Sequence, residues 1–134
     1  TVKIVTDPSV DATLFLFPGK LKLLNGDDAG KSFEMRGKPR GNKQGVLTIG
    51  RIEKEGKEKV SHISIPKEMT VSQKQAELLL DVSDPAKPVV AIKNLSKVNH
   101  TRVNGEVMMV DDVKQIGYGD KLKFGAIECE YVAE

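Results

Sequence analysis

The chain has no tryptophan, one cysteine, four phenylalanines and two tyrosines among its 134 residues. A lone Cys129 excludes an internal disulfide framework and any multi-cysteine metal site. Its place between Ile127 and Tyr131 reads as a small buried side chain on a late strand, and a single thiol fits a reducing compartment. Single-strand nucleic-acid binders on β scaffolds interleave aromatic platforms with basic residues. Here Phe15, Phe17, Phe33, Phe124 and Tyr131 face inward by alternation, which argues against a nucleic-acid partner. Charge of one sign is also lacking: 21 Lys and Arg against 19 Asp and Glu leave a net +2, too mild to imply nucleic acid by itself.

Long apolar runs are missing as well, and no stretch approaches the roughly 20 residues of a membrane span. No basic segment followed by an apolar one opens the chain, so no membrane partner is expected. The chain starts at Thr1 rather than Met, as expected for a piece of a longer protein.

Catalytic groupings are absent from the pattern. The two histidines, His62 and His100, have no nucleophile close by in sequence. Asp27-Asp28 and Asp111-Asp112 are adjacent carboxylates in turns, and no spacing fits a metal triad. The stretch Asn25-Gly26-Asp27-Asp28-Ala29-Gly30-Lys31-Ser32 imitates a phosphate-binding loop, but three residues separate its glycines where four are needed. It then continues into an alternating segment rather than the helix such a loop opens. It reads as a hairpin turn. The sequence thus points to no enzyme, no cofactor, no metal and no small-molecule substrate.

What is present is a series of short apolar runs punctuated by 12 glycines and six prolines. Strands are predicted at Leu14–Phe17, Lys20–Leu24, Ser32–Arg36, Val46–Ile49, Ile63 with Ile65, Lys74–Val82, Val89–Asn94, Glu106–Val110, Lys121–Phe124 and Glu128–Val132. Many short strands with turn residues between them make an all-β sandwich or barrel. Asn104-Gly105 is a strong hairpin signal. Ser72-Gln73-Lys74-Gln75 has the form of a helix capping box, yet the period of two from Ala76 to Val82 favours a strand. Gly37–Gly45, which is basic, and Glu53–Lys59, almost all charge, read as loops. The first either steers an acidic ligand or does nothing.

Four segments then fall in order: Thr48-Ile49-Gly50-Arg51; Val71-Ser72-Gln73-Lys74-Gln75-Ala76; Asn94-Leu95-Ser96-Lys97-Val98-Asn99-His100-Thr101-Arg102-Val103-Asn104-Gly105; and Gly119-Asp120. Together they resemble the forkhead-associated (FHA) domain, with its Gly-Arg, Ser-x-x-His, Asn-Gly-Thr-x-x-Asn-Gly and Gly-Asp motifs. The resemblance covers residues 20–134 and leaves 1–19 as an N-terminal extension expected to pack on the domain. It implies a β-sandwich of about eleven short, mainly antiparallel strands, with loops at one end that bind a phosphothreonine peptide.

By that resemblance Arg51 and Ser72 are the phosphate ligands, with Gln73 and Lys74 beside them. Asn99 ties the loop and bonds the peptide backbone, flanked by Val98 and His100. Gly50, Gln75, Thr101, Asn104 and Gly105 shape the loops. The residue types suit the task, since a guanidinium grips phosphate with a planar fork of donors and stays charged. The sequence departs from the family at four places. Gln75 stands for the His that braces the loops, and Gln too donates and accepts. Gln73 removes a donor, Val98 removes a hydroxyl, and His100 replaces a glycine and is expected to strain the backbone. The implied function is a phosphothreonine-dependent interaction module in a larger signalling or chromosome-associated protein, nuclear or cytoplasmic, with the nucleus preferred. The alternative is a degenerate FHA fold that binds an unphosphorylated partner or dimerises.

Overall fold

Alternation governs this chain. In the computed structural model, which describes residues 3–7, 12–41, 43–51, 62–64, 70–72, 74–84 and 86–133, every regular element is a strand. They are β1 (Lys3–Asp7), β2 (Ala12–Leu23), β3 (Ser32–Arg40), β4 (Gln44–Gly50), β5 (His62–Ser64) and β6 (Ala76–Asp81). After them come β7 (Val89–Asn94), β8 (Thr101–Val103), β9 (Glu106–Met108), β10 (Val113–Ile116), β11 (Lys121–Phe124) and β12 (Ile127–Val132).

Hydrogen bonding runs in the order β10-β7-β6-β4-β3-β2-β12-β11-β8-β9, with β1 added to β2 and β5 to β4. Pairing is antiparallel except between β4 and β5. Strand β3 turns the corner between the two sheets. Its first part, Ser32 to Gly37, pairs with β2, and its last part, Lys38 to Arg40, pairs with β4. The inner faces close on Phe17, Leu21, Met35, Leu47, Ile49, Leu78, Leu80, Ile92, Leu122 and Phe124, all but excluded from solvent. Burying each large apolar side chain contributes about 1.5–3 kcal/mol.

The contest between capping box and strand resolves for the strand. Ala76, Leu78 and Leu80 are buried while Glu77, Leu79 and Asp81 are half-buried, the two-residue period of a pleated sheet. The Asn-Gly hairpin also stands, joining β8 to β9 with both φ angles positive, 50° at Asn104 and 87° at Gly105. Cys129 is buried on β12, and that burial holds its thiol up at about 12.

Other expectations change. Leu14–Phe17 and Lys20–Leu24 belong to one continuous strand, β2, whose pairing with β3 shifts register between Leu16 and Lys20. Gly19 takes φ of 79° there, and the Tyr131 hydroxyl donates to the Pro18 carbonyl. The strand runs unbroken through the junction of residues 19 and 20, and Leu14, Phe15 and Phe17 on the early side are buried. Gly37–Gly45 is not a loop but the tip and flanks of the β3–β4 hairpin. β1, β8 and β10 are missing from the predicted strands. β10 is missing because only Ile116 of Val113-Lys114-Gln115-Ile116 is buried. Glu53–Lys59 and Ile65 lie outside the described residues.

Asn25 to Ser32 is a turn from β2 into β3, with φ of 82° at Gly26 and 89° at Gly30. It serves the fold, for Asn25 donates to the Ala126 carbonyl at 2.9 Å and accepts from the Glu128 amide at 2.8 Å.

Candidate functional site

Three strand ends converge at one end of the sandwich. β4 runs antiparallel to β6 up to Ile49 opposite Ala76, and the ladder continues past the strands. The Gln75 amide donates to the Ile49 carbonyl at 2.9 Å and the Arg51 amide to the Ser72 carbonyl at 3.0 Å. Buried Gly50 ends β4, so Arg51 emerges just beyond it, and its Nε donates to the Val71 carbonyl at 3.1 Å. On the other flank β6 pairs with β7 up to Ala76 opposite Asn94, and the Leu95 amide reaches the Gln75 carbonyl at 3.0 Å. The segment from Ser96 to His100 is thereby laid beside the Ser72 turn.

Side chains then stitch the three loops together. Ser72 Oγ lies 2.7 Å from Ser96 Oγ and accepts from Asn99 Nδ2 at 3.1 Å. Beneath them Gln75, wholly buried, uses its entire amide. Its Oε1 accepts from the Ser72 amide at 2.9 Å, and its Nε2 donates to the Asn99 carbonyl and to Thr101 Oγ1, both at 2.9 Å. Thr101 passes its own proton to Asn94 Oδ1 at 2.8 Å. Asn94 also accepts from the Ser96 amide and donates to the Ser96 and Met108 carbonyls. A buried polar network of this kind is favourable only when its members are satisfied, and here they are.

The structure therefore gathers Arg51, Ser72, Gln75, Asn99 and Thr101 of the expected residues. Lys74 is exposed beside them, and Lys97 is exposed on the third loop. Gln73 lies outside the described residues. Val98 is 81% exposed at the loop tip. His100 is exposed, its carbonyl accepting from the Gly125 amide at 3.3 Å. The strain expected at His100 is not found, since among the described residues only Asn104 and Asp111 combine a side chain with positive φ. The chain accommodates His100 because this turn is held by Ser96 and Gln75 rather than by a left-handed residue. Asn104 and Gly105 stand apart, at the far end of β8. There Asn104 donates to Asp120 Oδ1 at 3.0 Å and accepts from the Lys121 amide at 2.9 Å.

The basic stretch from Lys38 to Lys43 sits at the opposite end of β4 from Arg51. Six strand residues place it about 20 Å away, roughly two Debye lengths at physiological salt. Arg40 faces Glu77 at 3.6 Å, so the stretch supplies no contact at the Arg51 loops.

Sequence reasoning passed over Asn94 and Ser96. A signal was available: Val90, Ile92, Asn94 and Ser96 share one phase of the β7 alternation, and all four are buried. Polar residues on an inward phase mark a network. In all, the hydrogen bonds of Ser72, Asn94, Ser96, Asn99 and Thr101 are to neutral groups. With the Arg51 cation alongside, the surroundings suit an anion presented to the loops.

Comparison with known proteins agrees. The FHA domain family is matched by residues 47–125. The chain superimposes on the MEK1 FHA domain in complex with a HOP1 phosphothreonine peptide at a TM-score of 0.65 and 14% identity, covering 87% of this chain and 97% of that one. An FHA domain studied for phosphothreonine-dependent interactions gives 0.62 and 21%, covering 88% and 98%. The FHA domain of the CT664 protein from Chlamydia trachomatis gives 0.63 and 17%, covering 88% and 99%. No curated protein sequence matches the chain.

Proposed function

Because this chain belongs to the FHA family, we propose that it is an interaction module, not an enzyme, that binds a phosphothreonine-containing segment of a partner protein. The observation that carries this reading is the junction of Arg51 with Ser72, held by the 3.0 Å backbone bond between them and by the Nε contact to Val71. Arg51 supplies the charge and planar donors that phosphate requires. Ser72 Oγ supplies a hydrogen bond, Lys74 and Lys97 add positive charge nearby, and Asn99 meets the peptide backbone. Asn99 Oδ1 makes no hydrogen bond among the described residues, which leaves it available for a peptide N–H. Phosphorylation of the partner is then the switch, because it brings the charge and acceptor oxygens together.

We take the module to act within a larger signalling or chromosome-associated protein, in the nucleus or the cytoplasm, the nucleus being preferred. One observation favours a second reading, phosphate-independent docking or dimerisation: Val98 puts an exposed methyl pair on the loop tip where the family carries a hydroxyl.

Calorimetric titration with a degenerate phosphothreonine peptide pool, its unphosphorylated twin and an Arg51→Ala variant separates the two. Micromolar binding that requires the phosphate, and that weakens by about 1.5–3 kcal/mol in Arg51→Ala, is the expected result. Equal binding of both pools would establish the second reading instead.

A further inference from the structure

The hydroxyl protons of the site can be followed one by one. A hydroxyl oxygen has one proton to give and two lone pairs to receive. Ser96, only 5% exposed, has both lone pairs occupied, because its Oγ accepts from the Val98 amide at 3.3 Å and from the Asn99 amide at 2.9 Å. Its 2.7 Å contact with Ser72 Oγ must then be made with its own proton. Ser72 Oγ receives that proton on one lone pair and the Asn99 Nδ2 proton, at 3.1 Å, on the other. It has no room to accept more. Its own proton has no acceptor in the network and is turned to the open side. The Ser72 amide is already spent on Gln75 Oε1.

We propose that Ser96 is a positioning residue that fixes the Ser72 hydroxyl as a pure donor, aimed at the ligand and able to meet only an acceptor. This rests on the phosphopeptide reading above and deepens it. Left to itself, a serine hydroxyl rotates among donors and acceptors alike. Wired by Ser96 and Asn99, it meets a phosphate oxygen without reorganising, and the charge on that oxygen makes the bond stronger than one to a neutral threonine hydroxyl. The direction of the wire is set beneath it as well. Gln75 Nε2 donates to Thr101, Thr101 to Asn94 Oδ1, and Asn94 Oδ1 holds the Ser96 amide, so each amide and hydroxyl has one orientation only.

A double-mutant cycle on the whole chain tests this, with phosphothreonine peptide and its unphosphorylated twin as probes. Wild type, Ser72→Ala, Ser96→Ala and the double variant are titrated, and thermal melting confirms that each is folded. Should Ser96→Ala not fold, Ser96→Gly removes the same hydroxyl and takes its place in the cycle. Ser96→Ala is expected to weaken phosphopeptide binding about tenfold, the scale of one hydrogen bond to a charged group. In the Ser72→Ala background that loss should vanish. A loss that persists there would show that Ser96 acts on loop shape and not through Ser72, overturning the proposal while leaving the phosphopeptide reading intact. No loss in Ser96→Ala alone would overturn it too. Failure of the wild type to prefer the phosphorylated peptide would defeat the underlying reading, and this role with it.

Discussion

Gln75 on the approach to β6 and Thr101 at the start of β8 meet side chain to side chain at 2.9 Å, both wholly buried. This contact adds a side-chain tie to the backbone bond from Leu95 to Gln75 that already joins the two loops, and the same Gln75 amide also secures Ser72 and Asn99.

Gln75→Ala should therefore lower stability by about 2–4 kcal/mol, because it strands several buried partners rather than deleting one contact. Gln75→His restores the usual family residue. A neutral imidazole has a single donor where Gln75 uses two, so one of Asn99 and Thr101 loses its partner and the cost should be about 1 kcal/mol. Urea unfolding of the two variants beside wild type measures both. Equal stability of all three would show that the brace lies elsewhere.

Charge alone should not replace Arg51. Arg51→Lys keeps the cation but loses the planar fork and the Nε bond to the Val71 carbonyl, so phosphopeptide affinity is expected to fall about tenfold or more. Titration of the lysine variant against wild type decides this. Unchanged affinity would reduce the role of Arg51 to a point charge.

Gly125 cannot take a side chain. Its φ is +58°, and a methyl group there would fall on the Thr70 carbonyl. Gly125→Ala is expected to destabilise the domain by about 2–3 kcal/mol. Because the Gly125 amide bonds the His100 carbonyl, the shift should also disturb the third loop, visible as amide chemical-shift changes at residues 96–100. A melting temperature equal to wild type would contradict this close approach.

Asp120 gives a pH signature. The Asn104 side-chain amide and then the Gly117 backbone amide hold its carboxyl below the ordinary 3.8. A depressed carboxyl stabilises the fold above its unfolded-state value, and this contribution disappears as pH falls through the folded-state value. Asp120→Asn should thus be less stable than wild type near neutrality, and the gap should close as pH falls below the ordinary carboxyl value and through the folded-state one. Denaturant midpoints across that range report it, and a gap independent of pH would assign the effect to geometry rather than charge.

Much of the fold was legible in the sequence wherever one sheet face is buried and the other is not. β6, β7, β11 and β12 write that asymmetry as alternation, and Asn104-Gly105 announces its turn through backbone freedom. β10 was not legible because it buries a single side chain. The break expected after Phe17 was misread because Pro18-Gly19 usually ends a strand, whereas here the Tyr131 hydroxyl secures a bulge and pairing resumes at Lys20. Within the site, Arg51, Ser72 and Asn99 could be named from motif spacing. Asn94 and Ser96 could be flagged only as polar residues on an inward phase, and the role of Ser96 stays hidden because it depends on Ser72, 24 positions away.

Strand β12 lies between β2 and β11 in the hydrogen-bonding order, and the clasp from Asn25 to Glu128 spans 103 positions. During synthesis the last of these twelve strands to emerge is thus an interior one. Until it does, the early strands wait with an open seam along β2, and the sheet lacks its middle rather than an edge. Pairings so distant in sequence form slowly and leave strand edges unsatisfied meanwhile.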